Sequence, residues 1–382
     1  MAGRSPTVQR FAGSARSRAT GRGRPAGRTG SWRPEPNLAD FQDLSRFTTT
    51  NRGIAALLLG IGTLLVLEFT TRWLLDDIGT TGDNTSWFAE RWRAKERPLR
   101  NSLGFREREF DATPEPGTYR IVVVGDSLIY GQGIAESERL TERLQRALDR
   151  HHARFEVLNF GQPGAEYEQN IMNLELALSR AKPDFVLLSW FLNDINDPEA
   201  PPPRIFPLLP KLHYFINPRS ALYFVLNNAW SQIQIGLGMA DLDGWYKKHY
   251  SSPDTPLAQR ARERLERLLR LPRAEGLPVA MILWPPTLVS GHDAATYDFI
   301  FERVLETCES EGVPCLDLRA AFAKHVGENL IVNRFDAHPN GRANEIAAEA
   351  VLRTFGERWR TLAERKASGG RDDTGPETTA NR

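Results

Sequence analysis

Four short segments of the chain hold residues suited to nucleophilic acyl chemistry. In VVVGDSLIYGQG a β-branched run ends at Gly125, and Asp126 and Ser127 follow at once. A serine between the carboxyl end of a strand and a helix has an exposed hydroxyl with backbone N–H groups nearby. Such a hydroxyl needs a base to become a nucleophile. NRFDAHPNGRANE offers His338, with Asp336 two residues upstream to hold the other ring nitrogen. Pro339 restricts His338 to extended backbone, and Asn340 can cap the helix that follows. Of the seven histidines, only His338 has this carboxylate–His–Pro setting. The stretches LNFGQPGAE and SWFLNDIND add glycines and an asparagine, whose N–H groups can stabilise an oxyanion. A phosphate-binding loop fits the Ser127 turn poorly, because neither GxGxxG nor GK[ST] occurs there. The plainer alternative, Asp126 and Ser127 merely capping a helix, stays open.

These residues need a scaffold that brings distant segments to one edge. Ile121–Val124 reads as a strand buried on both faces. Ser137–Arg150 then has helical spacing at Leu140, Leu144 and Leu148. Strand Phe155–Asn159, helix Tyr167–Arg180 and strand Phe185–Trp190 continue the alternation. An amphipathic helix over 256–271, strand Val279–Trp284, helix 295–310, strand Val313–Leu318 and a last helix over 340–366 complete it. Five apolar strands separated by helices imply an α/β domain with a parallel sheet covered on both faces. Such sheets carry their reactive groups at the carboxyl ends of strands. The stretch 198–255 interrupts the alternation, either lining or covering a substrate groove or forming a surface helix with its own small core.

The 382-residue chain has a net charge of +1, which argues against a general nucleic-acid binder. Residues 1–52 hold ten Arg and no Lys within Gly, Ser, Thr, Ala and Pro, a composition expected to be disordered. Gly53–Leu67 is an uncharged apolar run, and with the residues through 75 it is expected to form a membrane span. Fifteen helical residues reach roughly 22 Å, so continuation past Glu68 is needed to cross roughly 30 Å of hydrocarbon. Glu68 and Arg72 are spaced to pair near an interface, with Trp73 at headgroup level. A buried core helix is the alternative. Arginines ahead of the span favour a cytoplasmic amino terminus and an extracytoplasmic remainder, on a bacterial inner membrane. A polar connector is expected over 76–118, a globular domain over 119–366 and a disordered tail over 367–382. Cys308 and Cys315 are either a disulfide or two small buried hydrophobes. The histidines and cysteines show no metal-ligand spacing.

The order Ser, Gly, Asn, Asp–His, each after its expected element, resembles the four sequence blocks of the SGNH (GDSL-type) hydrolase family over about 119–360. The resemblance implies a flavodoxin-like three-layer α/β/α domain with a central five-stranded parallel sheet. It implies Ser127 as nucleophile and His338 as general base, with Asp336 orienting it. The oxyanion donors would be the Ser127 N–H, Gly164 ahead of Gly161, and Asn193. Two positions depart from the family pattern. Phe191 stands where G-x-N-D has glycine, and the acid lies two residues before the histidine instead of three. A main-chain carbonyl could therefore share the orienting task with Asp336. The resemblance implies no metal or organic cofactor and an ester-bearing substrate, with cell-envelope glycan or lipid as candidates. NSLGFREREF and the apolar span resemble bacterial envelope-anchored members, some of which transfer acyl groups to polysaccharide. Ester hydrolysis, O-acyl transfer and a catalytically silent binding module are the three functional expectations.

Overall fold

The computed structural model describes residues 38–151, 153–286 and 294–368, so the expectations for residues 1–37 and for the tail beyond 368 lie outside it. The chain divides into two units, Met1–Gly62 and Thr63–Arg382. The described part of the first unit is the opening of helix α1, which runs Leu38–Leu74. This helix begins inside the stretch 1–52 expected to be disordered. Within it, Thr50–Leu74 is long and apolar enough to cross a membrane. Its apolar side chains, Leu64 and Phe69 among them, are exposed, unlike those of a buried core helix.

The second unit is built on a five-stranded parallel sheet, as expected. After α2 (Trp87–Glu96) come β1 (Thr118–Gly125), α3 (Ser127–Tyr130), α4 (Leu140–Leu148), β2 (Arg154–Gly161), α5 (Tyr167–Ala181) and β3 (Phe185–Trp190). The short helix α6 (His213–Ile216), α7 (Ala221–Gly236) and α8 (Leu242–Tyr250) precede α9 (Pro256–Ala274) and β4 (Val279–Leu283). Then follow α10 (Asp298–Ser310), β5 (Cys315–Asp317) and α11 (Arg319–Phe322). The chain closes with β6 (Ile331–Asn333), β7 (Asp336–Pro339) and α12 (Gly341–Ala367). The strand order is β2-β1-β3-β4-β5, all parallel. Going from β1 to β2 steps one way along the sheet; every later step goes the other way. With right-handed crossovers, α4 therefore covers one face and α5, α9 and α10 the other. The packing agrees: α4 meets α12, while α5 meets α9 and α9 meets α10. The reversal beside β1 is the switch point where open α/β sheets bind ligands.

Every residue of β1, β3 and β4 is buried, which is why Ile121–Val124, Phe185–Leu188 and Val279–Leu283 read as continuous apolar runs. Cys308 on α10 and Cys315 on β5 form a disulfide, resolving the two readings of that pair. The stretch 76–118 differs from a polar connector. Ser86 caps α2 by accepting from the Ala89 N–H, and Ile78, Phe88, Trp92 and Phe105 are buried. Interleaved charge hides this apolar content in the sequence. In the interruption 198–255, α7 contributes Ala221 and Phe224 to a small core with Ile78 and Phe88, while α8 adds Tyr246 and Tyr250 to the main core.

Candidate active site

The turn carrying Ser127 is set by contacts too close for any side chain. A Cβ at Gly125 would lie 2.7 Å from both the Ile129 and the Ser189 side chains; at Gly161 it would lie 2.3 Å from the Tyr130 nitrogen. These two glycines, paired across β1 and β2, let α3 sit directly on the strand ends. Asp126 caps α3 by accepting from the Leu128 N–H at 3.0 Å, which makes Ser127 the first residue of the helix. Its own N–H therefore has no intrahelical acceptor.

The second component is a hairpin. His338 was expected in a loop before the last helix, but it lies on β7, antiparallel to β6. His338 Nε2 lies 2.9 Å from Ser127 Oγ, and Nδ1 lies 2.6 Å from Asp336 Oδ1. Asp336 Oδ1 also accepts the His338 backbone N–H at 3.1 Å. With Nδ1–H donating to Asp336, Nε2 would turn its lone pair to the serine, the tautomer a general base needs. The Asp336 side chain is fully buried, whereas His338 retains some access to solvent. The two-residue spacing is thus compatible with a direct carboxylate–imidazole contact.

The two candidate oxyanion turns leave the sheet on either side of β1, after β2 and β3. Gly161 is eliminated as a donor, since its N–H is committed to Asn159 Oδ1 at 2.9 Å. Gly164 is exposed with φ 75°, and its N–H makes no hydrogen bond among the described residues. A cavity of about 240 Å³ opens beside it, lined also by Glu166, Asn196 and Arg264. Asn193 is half-buried in the turn Leu192–Ile195 after β3, with its side chain next to Asp126. Phe191, where the family pattern has glycine, adopts φ −137°, an extended backbone open to any residue. Asp194 fixes this turn by accepting from the Phe191 N–H at 2.7 Å and from Asn170 at 2.8 Å. The structure thus joins Ser127, His338 and Asp336 directly and sets Gly164 and Asn193 on the flanking turns.

Two buried carboxyls lie behind the site. Desolvation raises the Asp126 pKa from its ordinary value, and desolvation together with the charge of Asp126 raises that of Asp194 well above its own. Two such groups cannot both ionise cheaply in a dry interior.

Several supports escaped the sequence analysis. The buried Arg106 guanidinium donates to the carbonyls of Gly131 at 2.6 Å and Ile134 at 3.0 Å, bracing the loop after Ser127. Burial and the neighbouring Arg139 push its pKa down to about 10, so it stays charged at neutral pH. In the sequence Arg106 sits in FREREF, which looks like a solvated charge run. Gly133, at φ 80°, leaves room for the Asp336 carboxylate, since a Cβ there would lie 3.0 Å from Oδ2. Asn333 donates to the Thr80 carbonyl at 2.8 Å, and the Gly82 N–H donates to Phe335 at 2.9 Å, tying the hairpin to the segment after α1. Among the described residues no group of three or more His, Cys, Asp or Glu side chains could hold a metal.

The model of the GDSL-like Lipase/Acylhydrolase family matches residues 123–346. No curated protein matches the chain. Solved structures similar to it include the psychrotrophic esterase EstA from Pseudoalteromonas sp., 13% identical, covering 63% of this chain and 98% of that one at a TM-score of 0.40. TesA is 17% identical, covering 62% and 98% at a TM-score of 0.41. A lipolytic protein of the G-D-S-L family from Veillonella parvula DSM 2008 is 15% identical, covering 62% and 98% at 0.39. The family match runs from β1 into the last helix, over more than half of the chain, and the protein belongs to the GDSL-like lipase/acylhydrolase family.

Proposed function

We propose that the protein is a membrane-anchored, extracytoplasmic ester hydrolase using Ser127, His338 and Asp336. The observation that carries this reading is the 2.9 Å contact of Ser127 Oγ with His338 Nε2, continued by the 2.6 Å contact of Nδ1 with Asp336. His338 takes the serine proton as Oγ attacks the acyl carbonyl. The oxyanion is held by the N–H groups of Ser127 and Gly164 and by the Asn193 amide. His338 then protonates the leaving alcohol, and a water activated by the same imidazole releases the acid and restores Ser127. Asp336 holds the ring and stabilises its charged form throughout.

The anchor is the segment Thr50–Leu74, and the folded unit after it includes 76–118 as well as 119–366. The ten arginines within residues 1–52 favour a cytoplasmic amino terminus. The Cys308–Cys315 disulfide is consistent with an oxidising compartment for the catalytic unit. The substrate is an ester of the envelope, in glycan or lipid. Fluorophosphonate labelling of the wild type beside Ser127→Ala tests the nucleophile, and labelling that survives the substitution defeats it. Measuring acyl flux to water against flux to an added oligosaccharide then tells hydrolysis from transfer.

A further inference from the structure

Among the described residues, the exposed large apolar side chains are concentrated in two places. They lie on α1 or between Ile205 and Met239, the exceptions being Leu99, Met172, Leu242 and Val326. Isolated exposed apolar residues are ordinary; a contiguous set marks an interaction surface. The last turns of helix α7 have the reverse of the pattern of a water-facing helix. Gln234 is 1% exposed, while Ile233 and Ile235 on either side of it are about half exposed. The Gln234 amide turns inward, accepting from the Phe206 N–H at 2.9 Å and donating to the Phe206 carbonyl at 2.8 Å. Asn227 likewise accepts the Leu208 N–H at 2.8 Å. Gln234 and Asn227 thus satisfy the backbone of the loop beside α7, while Leu226, Ile233 and Ile235 stay outside. An element placed against hydrocarbon has this requirement, because unpaired backbone groups there are costly.

Two further observations identify what covers the surface. Residues 205–240 contain no Asp or Glu, and their only Lys or Arg residues are Lys211 and Arg219. This balance suits an anionic lipid surface. The surface is also continuous with α1. Glu68 accepts from Ser220 Oγ at 2.6 Å and from the N–H groups of Ala221 at 2.9 Å and Leu222 at 3.0 Å, capping α7. Arg72 pairs with Glu68 at 2.6 Å and donates to the Arg219 carbonyl at 2.8 Å. The start of α7 is therefore fixed where α1 leaves the apolar layer.

We propose that residues 205–239 form a second membrane contact, lying in the headgroup and upper acyl region of the leaflet from which α1 emerges. This rests on the reading of α1 as a membrane span. The docked element would also support the active site, because Phe224 packs edge-on against Phe335, next to Asp336, with ring centres 5.6 Å apart.

The test uses the full chain in lipid nanodiscs, with a thiol-reactive fluorophore at single positions. Phe206→Cys, Tyr214→Cys and Ile233→Cys probe the surface; Leu64→Cys reports on α1, and Val326→Cys reports on a water-exposed site. Doxyl-labelled lipid should quench the three surface probes several-fold more than aqueous iodide does, as for Leu64→Cys, with the reverse at Val326→Cys. If Leu64→Cys is quenched by lipid while the surface probes are quenched by iodide, or are shielded from both quenchers by protein, the second contact is wrong and the anchor stands. If Leu64→Cys itself is not quenched by lipid, the anchor reading fails and the proposal falls with it.

Discussion

Asp336 Oδ1 accepts two hydrogen bonds from one residue, the ring Nδ1 of His338 at 2.6 Å and its backbone N–H at 3.1 Å. The same oxygen therefore fixes the strand carrying the histidine and the orientation of its ring. Asp336→Asn can keep the backbone contact but offers a neutral group to the imidazole. A fall of about 10⁴-fold in kcat is expected, with little change in KM. Steady-state rates on a short acyl ester check this, and a loss below tenfold would assign the orienting role elsewhere.

Ser127→Ala and His338→Ala each remove one end of the 2.9 Å contact. Each should lower kcat by about 10⁴-fold or more, and the double variant should be no worse than the more damaged single one, because the groups act as a unit. Additive losses in a double-variant cycle would contradict the proposed pairing.

Gly161→Ala should be both unstable and poorly active. The new methyl would lie 2.3 Å from the Tyr130 nitrogen, on backbone that cannot rotate away. Overpacking of this kind costs about 1–3 kcal/mol, and relief requires α3, with Ser127, to shift. A lower Tm together with slower fluorophosphonate labelling is expected. Gly164→Ala, where a Cβ would meet nothing within 4 Å, should perturb packing far less despite its positive φ.

The buried carboxyl of Asp194 gives the protein a pH dependence of known sign. Its folded pKa is raised by desolvation and by Asp126, so the folded chain binds more protons than the unfolded one. Stability then falls as pH climbs from the unfolded carboxylate pKa, near about 4, toward the folded value. Asp194→Asn removes this titration while leaving an oxygen to accept the Phe191 N–H. Tm measured from about pH 4 to pH 8 should fall more for the wild type than for the variant. Parallel curves would mean that Asp194 is ionised at little cost.

The Cys308–Cys315 bridge closes a short loop between α10 and β5. Chain-entropy reasoning gives it about 2.5 kcal/mol. Reduction, or the pair Cys308→Ala and Cys315→Ala, should lower Tm by several degrees without abolishing labelling of Ser127. Alkylation of native protein before and after reductant reports whether the bridge is present in cells.

Much of the scaffold and part of the site can be read locally. Strands buried on both faces can be uninterrupted apolar runs, as in Val279–Leu283, and helices show their period, as in α4. The hairpin β6–β7 leaves no such trace. Its strands are three and four residues long and contain Asn333, Asp336 and His338. Neither alternation nor β-propensity singles them out. The buried charge of Arg106 is equally hidden, because its acceptors are carbonyls of another segment.

The sequence alone determined the α/β class, the apolar segment 53–75 and the residue types at positions 127, 336 and 338, because each depends on local pattern and local turn chemistry. Only the tertiary structure decided that Ser127 and His338, 211 positions apart, come within hydrogen-bonding distance. It also decided that the Gly161 N–H is already committed and that Leu226, Ile233 and Ile235 of α7 face outward. Contacts of that range depend on how whole elements pack, and no window of neighbouring residues encodes them.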